Sequence, residues 1–359
     1  MMYGRSLQDL ALEIERQKNA KADYLADTRQ LSMTVFPNIA TTEYEPRLSL
    51  GTNGDTIELA VNEIAHGQIA SHTGIPYRYY NRMQKSDPEL LAHNVNTWFN
   101  REPQTRMVRT LDGTARAFLS DRYRRIDHAE IAEAVLPMIG DMPGATVESC
   151  QLTDKKMYIK VLNPRIQTEI VPGDVVQSGL LISNSEVGLG SVAVLPLVYR
   201  LVCSNGMIAA DNGQRKFHVG RANEADDNYE IFRSVTIEAE DKAFVLKLQD
   251  IVRATADSVQ FERIVNVMRT AADARMTSPD IPKVVQLASR AFGITENEGK
   301  GVLDHLIRGS DLSLYGLANA VTRTAQDVGN YDRSTELEMT GWDLMNMSRA
   351  EWNRINNTD

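Results

Sequence analysis

Cysteine is nearly absent. The 359 residues contain two, Cys150 and Cys203, too few for a disulfide framework and without partners at CxxC or HxxxH spacing, which excludes structural zinc. The six histidines (66, 72, 93, 128, 218 and 305) never fall at i,i+4, no serine sits in a GxSxG elbow, and there is no Walker A sequence. Zinc-protease, hydrolase and P-loop readings therefore lapse. Gly188-Leu189-Gly190 follows a strand, but 191–202 reads as another strand, which leaves no helix N-terminus to hold a dinucleotide phosphate. A metal nuclease needs clustered carboxylates and a nearby lysine; Asp154-Lys155-Lys156 lies between strands and reads as a hairpin tip. No run approaches the roughly 18 apolar residues of a membrane span. The opening MMYGRSLQDLALEIERQ mixes acids with apolar positions and has no cleavage-site pattern, so a cytoplasmic protein is expected.

What is present is the composition of a packed protein, with 42% hydrophobic and 24% charged residues and a net charge of -9. That sum disfavours indiscriminate nucleic-acid binding by the whole molecule, yet the charge is uneven. Residues 76–125 carry 10 basic and 5 acidic side chains, whereas 1–75, 126–221 and 222–359 are each net acidic. Every basic residue of that window except Lys85 is an arginine, the side chain suited to phosphate forks and base stacking. Tyr77, Tyr79, Tyr80, Trp98, Phe99, Phe118 and Tyr123 are interleaved with them.

Ser6 followed by Asp9, with Leu7, Leu10, Ala11 and Ile14 at helical spacing, predicts a capped amphipathic helix. LSMTVF (31–36) and RLSL (47–50) predict short strands. Ile57, Ala60, Val61, Ile64, Ala65 and Ile69 predict one helix from 57 to 72; Thr73-Gly74 breaks it and Pro76 opens a second through Arg82. This is the helix, glycine turn, helix order of groove readers, with Arg78, Tyr79 and Arg82 on the second helix, and equally the order of an ordinary packing hairpin. Asp87-Pro88 starts a further helix with Leu91, Val95 and Trp98 on its buried side.

TRMVRTL, Asp112-Gly113 and TARAFLS form the strongest hairpin signal in the chain. Pairing Leu111 with Thr114 sets Arg109 opposite Arg116 and Met107 opposite Phe118 on one face. Like charges in register disfavour a sheet, so the pair needs nearby acids, open solvent or a bound anion. Asp127 is expected to cap a helix through Val135 with Glu130 as its capping-box partner. About seven strands are expected between 105 and 221, with Asn205-Gly206 as a turn, and helices from 227 onward. Asn184-Ser185-Glu186 and 203–206 lie at strand ends, where catalytic side chains can gather and turns also form. The expected class is α+β: a central antiparallel β-sheet flanked by an N-terminal helical segment (1–100) and an all-helical C-terminal region (222–359), with the β-rich core at 101–221.

IPYRYYNRM, VRTLDGTARAFLSDRYRRIDH, GLLISNSEVGLGSVAVLPLVYRLVCSNGM, FHVGR and LYGLANAVTRTAQDVGNYDRSTELE carry a resemblance. With them the sequence resembles the phage and plasmid proteins grouped as domain of unknown function family 932, Arg200 to Gly206 being the most specific piece. The resemblance implies a mobile-element protein of bacterial cytoplasm and transfers no activity. At the level of fold alone there is an analogy to phage single-strand annealing proteins, which set a β-hairpin sheet beside helices and assemble into rings or filaments.

The expectation is a non-enzymatic, oligomeric single-stranded DNA binder assisting phage or plasmid recombination or replication, with no metal and no cofactor. Arg78, Arg82, Arg106, Arg109, Arg116, Arg122, Arg124 and Arg125 would meet phosphates, reinforced by Arg200, Arg215, Lys216 and Arg221, while Phe118 and Tyr123 stack bases. The acidic C-terminal helices would pack between protomers or recruit a basic host or phage protein. The competing class is a mobile-element interaction factor whose arginines meet an acidic host protein.

Overall fold

The computed structural model describes residues 1–37, 44–51, 55–123, 125–190, 192–210, 234–255 and 258–356. It is α+β as expected, with two sheets in place of one. Helix α1 (Leu7–Ala20), capped by Ser6 on the Asp9 N–H, leads into β1 (Lys21–Asp27), β2 (Leu31–Pro37), β3 (Tyr44–Gly51) and β4 (Thr56–Val61). These strands join β5 (Thr105–Leu111) and β6 (Thr114–Ser120) in a six-stranded sheet of order β1-β5-β6-β4-β3-β2. Sheet one thus draws strands from both sides of residue 100, and the segment expected to be mostly helical supplies four of them, of which β2 and β3 lie at the two strands expected there. The helix expected from 57 to 72 is one of the differences. Ile57, Leu59 and Val61 alternate as a strand requires, and the helix α2 (Glu63–His72) begins only after Asn62, which caps the Ala65 N–H. The helices α2, α3 (Tyr77–Ser86) and α4 (Pro88–Arg101) pack on sheet one around Leu48, Leu50, Ile69, Tyr80, Leu91, Val95, Phe99 and Phe118.

After α5 (His128–Asp141) comes a five-stranded antiparallel sheet of order β11-β10-β9-β8-β7. Its strands are β7 (Thr146–Leu152), β8 (Met157–Glu169), β9 (Val175–Asn184), β10 (Ala193–Arg200) and β11 (Asn205–Ile208). Both faces are covered, which is why β9 and β10 read as continuous apolar runs. Along β8, Met157, Ile159 and Val161 enter a core shared with α1, α5 and α6 (Ser234–Thr255), while Tyr158 and Leu162 turn to the opposite face beside Tyr331. That second face carries α7 (Ser258–Asp273), α8 (Ile281–Ala291), α9 (Glu296–Gly309), α10 (Leu314–Thr324), α11 (Tyr331–Met345) and α12 (Arg349–Asn356).

Asp154-Lys155-Lys156 forms the turn between β7 and β8. Asn205-Gly206 does not turn the chain. The bend occupies 201–204, with Ser204 left-handed at φ 51, and Asn205 opens β11, buried and hydrogen-bonded to Thr322. The strand expected at 215–221 lies outside the described residues.

Candidate nucleic-acid interface

The β5–β6 hairpin turns where expected, with Asp112 at φ 51 and Gly113 at φ 74, the two left-handed residues of a tight hairpin turn, and Leu111 pairs with Thr114. The register then breaks. A bulge sets Thr110 against Ala115 and Arg109 against Ala117, so Val108 faces Phe118, and the expected Arg109–Arg116 and Met107–Phe118 pairs do not exist. The like-charge conflict is removed by geometry and by acids from elsewhere. β1 lies beside β5 with Asp23 in register with Arg109, an opposite-charge cross-strand pair. The Arg109 Nε–H donates to Asp23 Oδ1 at 2.8 Å, Nη2 to Asp127 Oδ1 at 2.7 Å, and Nη1 to the Glu186 carbonyl at 3.0 Å. Arg116 pairs with the Glu186 carboxylate, and Lys21 bridges Asp127 at 2.5 Å and Glu186 at 3.4 Å.

This network ties sheet one to the end of β9 and the start of α5. Asp127 does not cap α5 with its side chain, because its oxygens are taken by Arg109 and Lys21. Glu186 accepts the His128 N–H at 2.6 Å instead, and Asn184 donates to the Ile126 carbonyl at 3.0 Å. Burial alone would raise the Glu186 pKa, yet His128, Arg116 and Lys21 hold it down at about 2. Burial lowers His128 to about 4, so the imidazole is neutral. The strand-end residues 184–186 are therefore a structural clasp.

The sheet half of the expected interface is corrected accordingly. Arg109 is 0% exposed and Arg116 8%, both held as counterions of carboxylates, so neither meets a phosphate in this fold. Phe118 is buried too, stacked on Phe99 at 5.7 Å, with Arg106 against its ring and bonded to His72 Nδ1 at 2.7 Å and to Gln104. The Tyr123 hydroxyl donates to the Ser185 carbonyl at 3.2 Å. Arg125 is exposed but lies 3.4 Å from Asp23, and Arg122 is exposed. The Arg200 guanidinium is clasped by Asp174 at 2.7 Å and lies over the Tyr315 ring. Arg124, Arg215, Lys216 and Arg221 lie outside the described residues.

The helical half of the window is different. Gly74, at φ 67, allows the tight turn between α2 and α3. Tyr80 and Met83 bury one side of α3; Arg78, Arg82 and Lys85, spaced by four and three, share the opposite, exposed face along about 10 Å of helix. None of the three has a carboxylate partner among the described residues. Tyr77 and Tyr79 are exposed beside them. On α4, Leu91, Val95 and Phe99 take the buried stripe, so Trp98, expected on that side, is rotated to its edge and is 36% exposed. The Arg101 guanidinium lies 5.9 Å from its ring centroid. The sequence reading counted Trp98 among the interleaved aromatics but named neither Trp98 nor Arg101 as a contact residue. Residue 98 lies seven positions after Leu91 and three after Val95, so helical spacing sets it beside the buried stripe and gives no sign of its exposure. Among the described residues no group of three or more His, Cys, Asp or Glu is placed to hold a metal ion.

A family model described as "Domain of unknown function (DUF932)" matches residues 116–352, more than half of the chain. The chain belongs to that family. The match to DUF932 takes in Arg116, Glu186, sheet two and the C-terminal helices through Trp352; Asp23, Arg109 and the whole of α3 and α4 precede it. No curated protein and no solved structure matches the chain.

Proposed function

We propose that this protein binds nucleic acid, single-stranded DNA above all, along the exposed face of α3, as an accessory protein in the recombination or replication of a mobile element. The observation that carries the reading is the row Arg78, Arg82 and Lys85, which points to solvent without a carboxylate partner among the described residues. Exposed cations keep their mobile counterions and release them when a phosphate replaces them, which is the main source of affinity for a nucleic-acid backbone. Exposed Tyr79 adds aromatic surface to the same helix. Three cations are few, so one protomer binds weakly, and several protomers along one strand supply the affinity. The net acidic segment 222–359 repels DNA and leaves α3 as the contact; its acids suit a basic protein partner.

A mobility-shift titration with labelled single- and double-stranded oligonucleotides tests this. The wild type is expected to shift the single strand, and the Arg78→Ala, Arg82→Ala, Lys85→Ala triple variant to need a much higher protein concentration for the same shift. Equal shifts from both proteins refute the assignment to α3. A preference for duplex favours the groove-reading use of the α2–turn–α3 unit. No shift with either DNA at low salt favours an acidic protein as the partner of this face.

A further inference from the structure

Sheet two ends unevenly. β7 covers β8 only as far as Leu162, and from Asn163 to Glu169 no strand lies on that side of β8 among the described residues. Which backbone groups face the open side follows from the pairing with β9. The Ile170 N–H donates to the Asp174 carbonyl at 3.0 Å, and hydrogen-bonded pairs alternate along an antiparallel ladder. Thr168 therefore bonds Val176, while Gln167 and Glu169 turn their N–H and C=O groups outward. The Val175 carbonyl has the matching parity, since it accepts from the Leu201 N–H on the far side of β9. In the single chain the Glu169 carbonyl takes the Arg269 guanidinium at 2.9 Å, and the Arg165 N–H takes Asn163 Oδ1 at 3.2 Å. The outward N–H and C=O of Gln167 have no partner among the described residues. Between this edge and α7 is a cleft of about 490 Å³ whose walls include Ile166, Thr168, Phe261 and Val265. Arg165, Gln167 and Glu169 alternate with them as exposed residues, and neither charge has an ion-pair partner among the described residues.

We infer that this edge of β8 pairs with the same edge of a second copy, antiparallel about a two-fold axis at Gln167, joining the two five-stranded sheets into one. Symmetry fixes the register. An axis that sets Gln167 against its own counterpart sets Arg165 against the partner's Glu169 and Ile166 against the partner's Thr168, each twice. Gln167 then forms the hydrogen-bonded pair that its outward backbone groups allow, whereas an axis at Thr168 would present groups already bonded to β9. Arg165 and Glu169 become opposite-charge cross-strand pairs. The Ile166 and Thr168 pairs enter the cleft against Phe261 and Val265. Pro164, which has no N–H, ends the ladder, and the Arg269 and Asn163 side chains give up the edge to the incoming strand. The interface belongs to β8 and α7 and does not depend on the use of α3.

The test is sedimentation velocity of the full chain from low to high micromolar concentration. The wild type is expected to pass from monomer to dimer. Arg165→Glu brings a carboxylate against the partner's Glu169, Glu169→Arg brings a guanidinium against the partner's Arg165, and each is expected to weaken the dimer about ten-fold. The Arg165→Glu, Glu169→Arg double variant restores opposite charges in the same register and is expected to recover wild-type association. Both side chains are exposed, so the urea midpoints of all three variants should match the wild type. A wild type that stays monomeric, single variants that dimerise as the wild type does, or a double variant no better than the single ones overturns the interface.

Discussion

Arg109 and Arg78 belong to one basic stretch of sequence and occupy opposite electrostatic surroundings. Arg109 is 0% exposed, gripped by Asp23, Asp127 and the Glu186 carbonyl, and the carboxylates hold its pKa above the ordinary arginine value even though burial opposes this. Arg78 stands in solvent on α3 with Arg82 and Lys85 as its neighbours along the same face. The difference teaches that a local excess of guanidinium groups does not reveal their use. The acids that neutralise the sheet arginines come from β1, from the start of α5 and from the end of β9, none of them in the same stretch. No carboxylate pairs with Arg78, Arg82 or Lys85 among the described residues, and the charge left over is the charge available to a partner.

Acid has the largest expected effect, and it reaches both regions. His66, whose ring bonds the Tyr80 hydroxyl, and His128 in the clasp are both lowered by burial to about 4 from an ordinary value near 6.5. The folded protein resists their protonation and the unfolded chain does not, so stability is full above about pH 6.5 and falls as pH drops toward 4, by on the order of 3 kcal/mol for each histidine. Glu186, lowered to about 2, adds a second loss as pH falls from its ordinary 4.5 toward 2. Urea midpoints measured from pH 8 to pH 3 should trace this decline, and a flat profile would remove the buried clasp from the account. Next in size is Arg109→Ala, which strands Asp23 and Asp127 and is expected to cost about 3–5 kcal/mol in urea unfolding. A loss below about 1 kcal/mol would place Arg109 with the surface arginines. Arg125→Ala removes an exposed 3.4 Å pair with Asp23 and should cost no more than about 1 kcal/mol. Smallest is the triple α3 variant, whose stability should stay within about 0.5 kcal/mol of wild type because nothing buried depends on those side chains.

Much of the fold was legible from periodicity and turn chemistry. The Asp112-Gly113 turn, the strands from 146 to 200 and the helices beyond 234 lie close to where spacing predicts them, whereas the expected Asn205-Gly206 turn is part of a strand. Two kinds of feature were not. β1 has the pattern of a half-buried edge and is recognisable as a strand only once β5 pairs with it. The β5–β6 bulge cannot be read from alternation, because one extra residue reverses the facing of everything beyond it. That displacement undid the expected Arg109–Arg116 pair, and the distant acids Asp23 and Glu186 did the rest. The α3 row was readable from the spacing of 78, 82 and 85 alone, since a helix places such residues together without help from the rest of the chain.

The most direct test of the division between clasped and free cations is the salt dependence of binding to a single-stranded oligonucleotide, read by fluorescence anisotropy for the wild type and the Arg78→Ala, Arg82→Ala, Lys85→Ala variant. Three lost phosphate contacts should weaken binding and make the slope of log affinity against log salt shallower by about 2. A variant with wild-type affinity and wild-type slope would contradict the account.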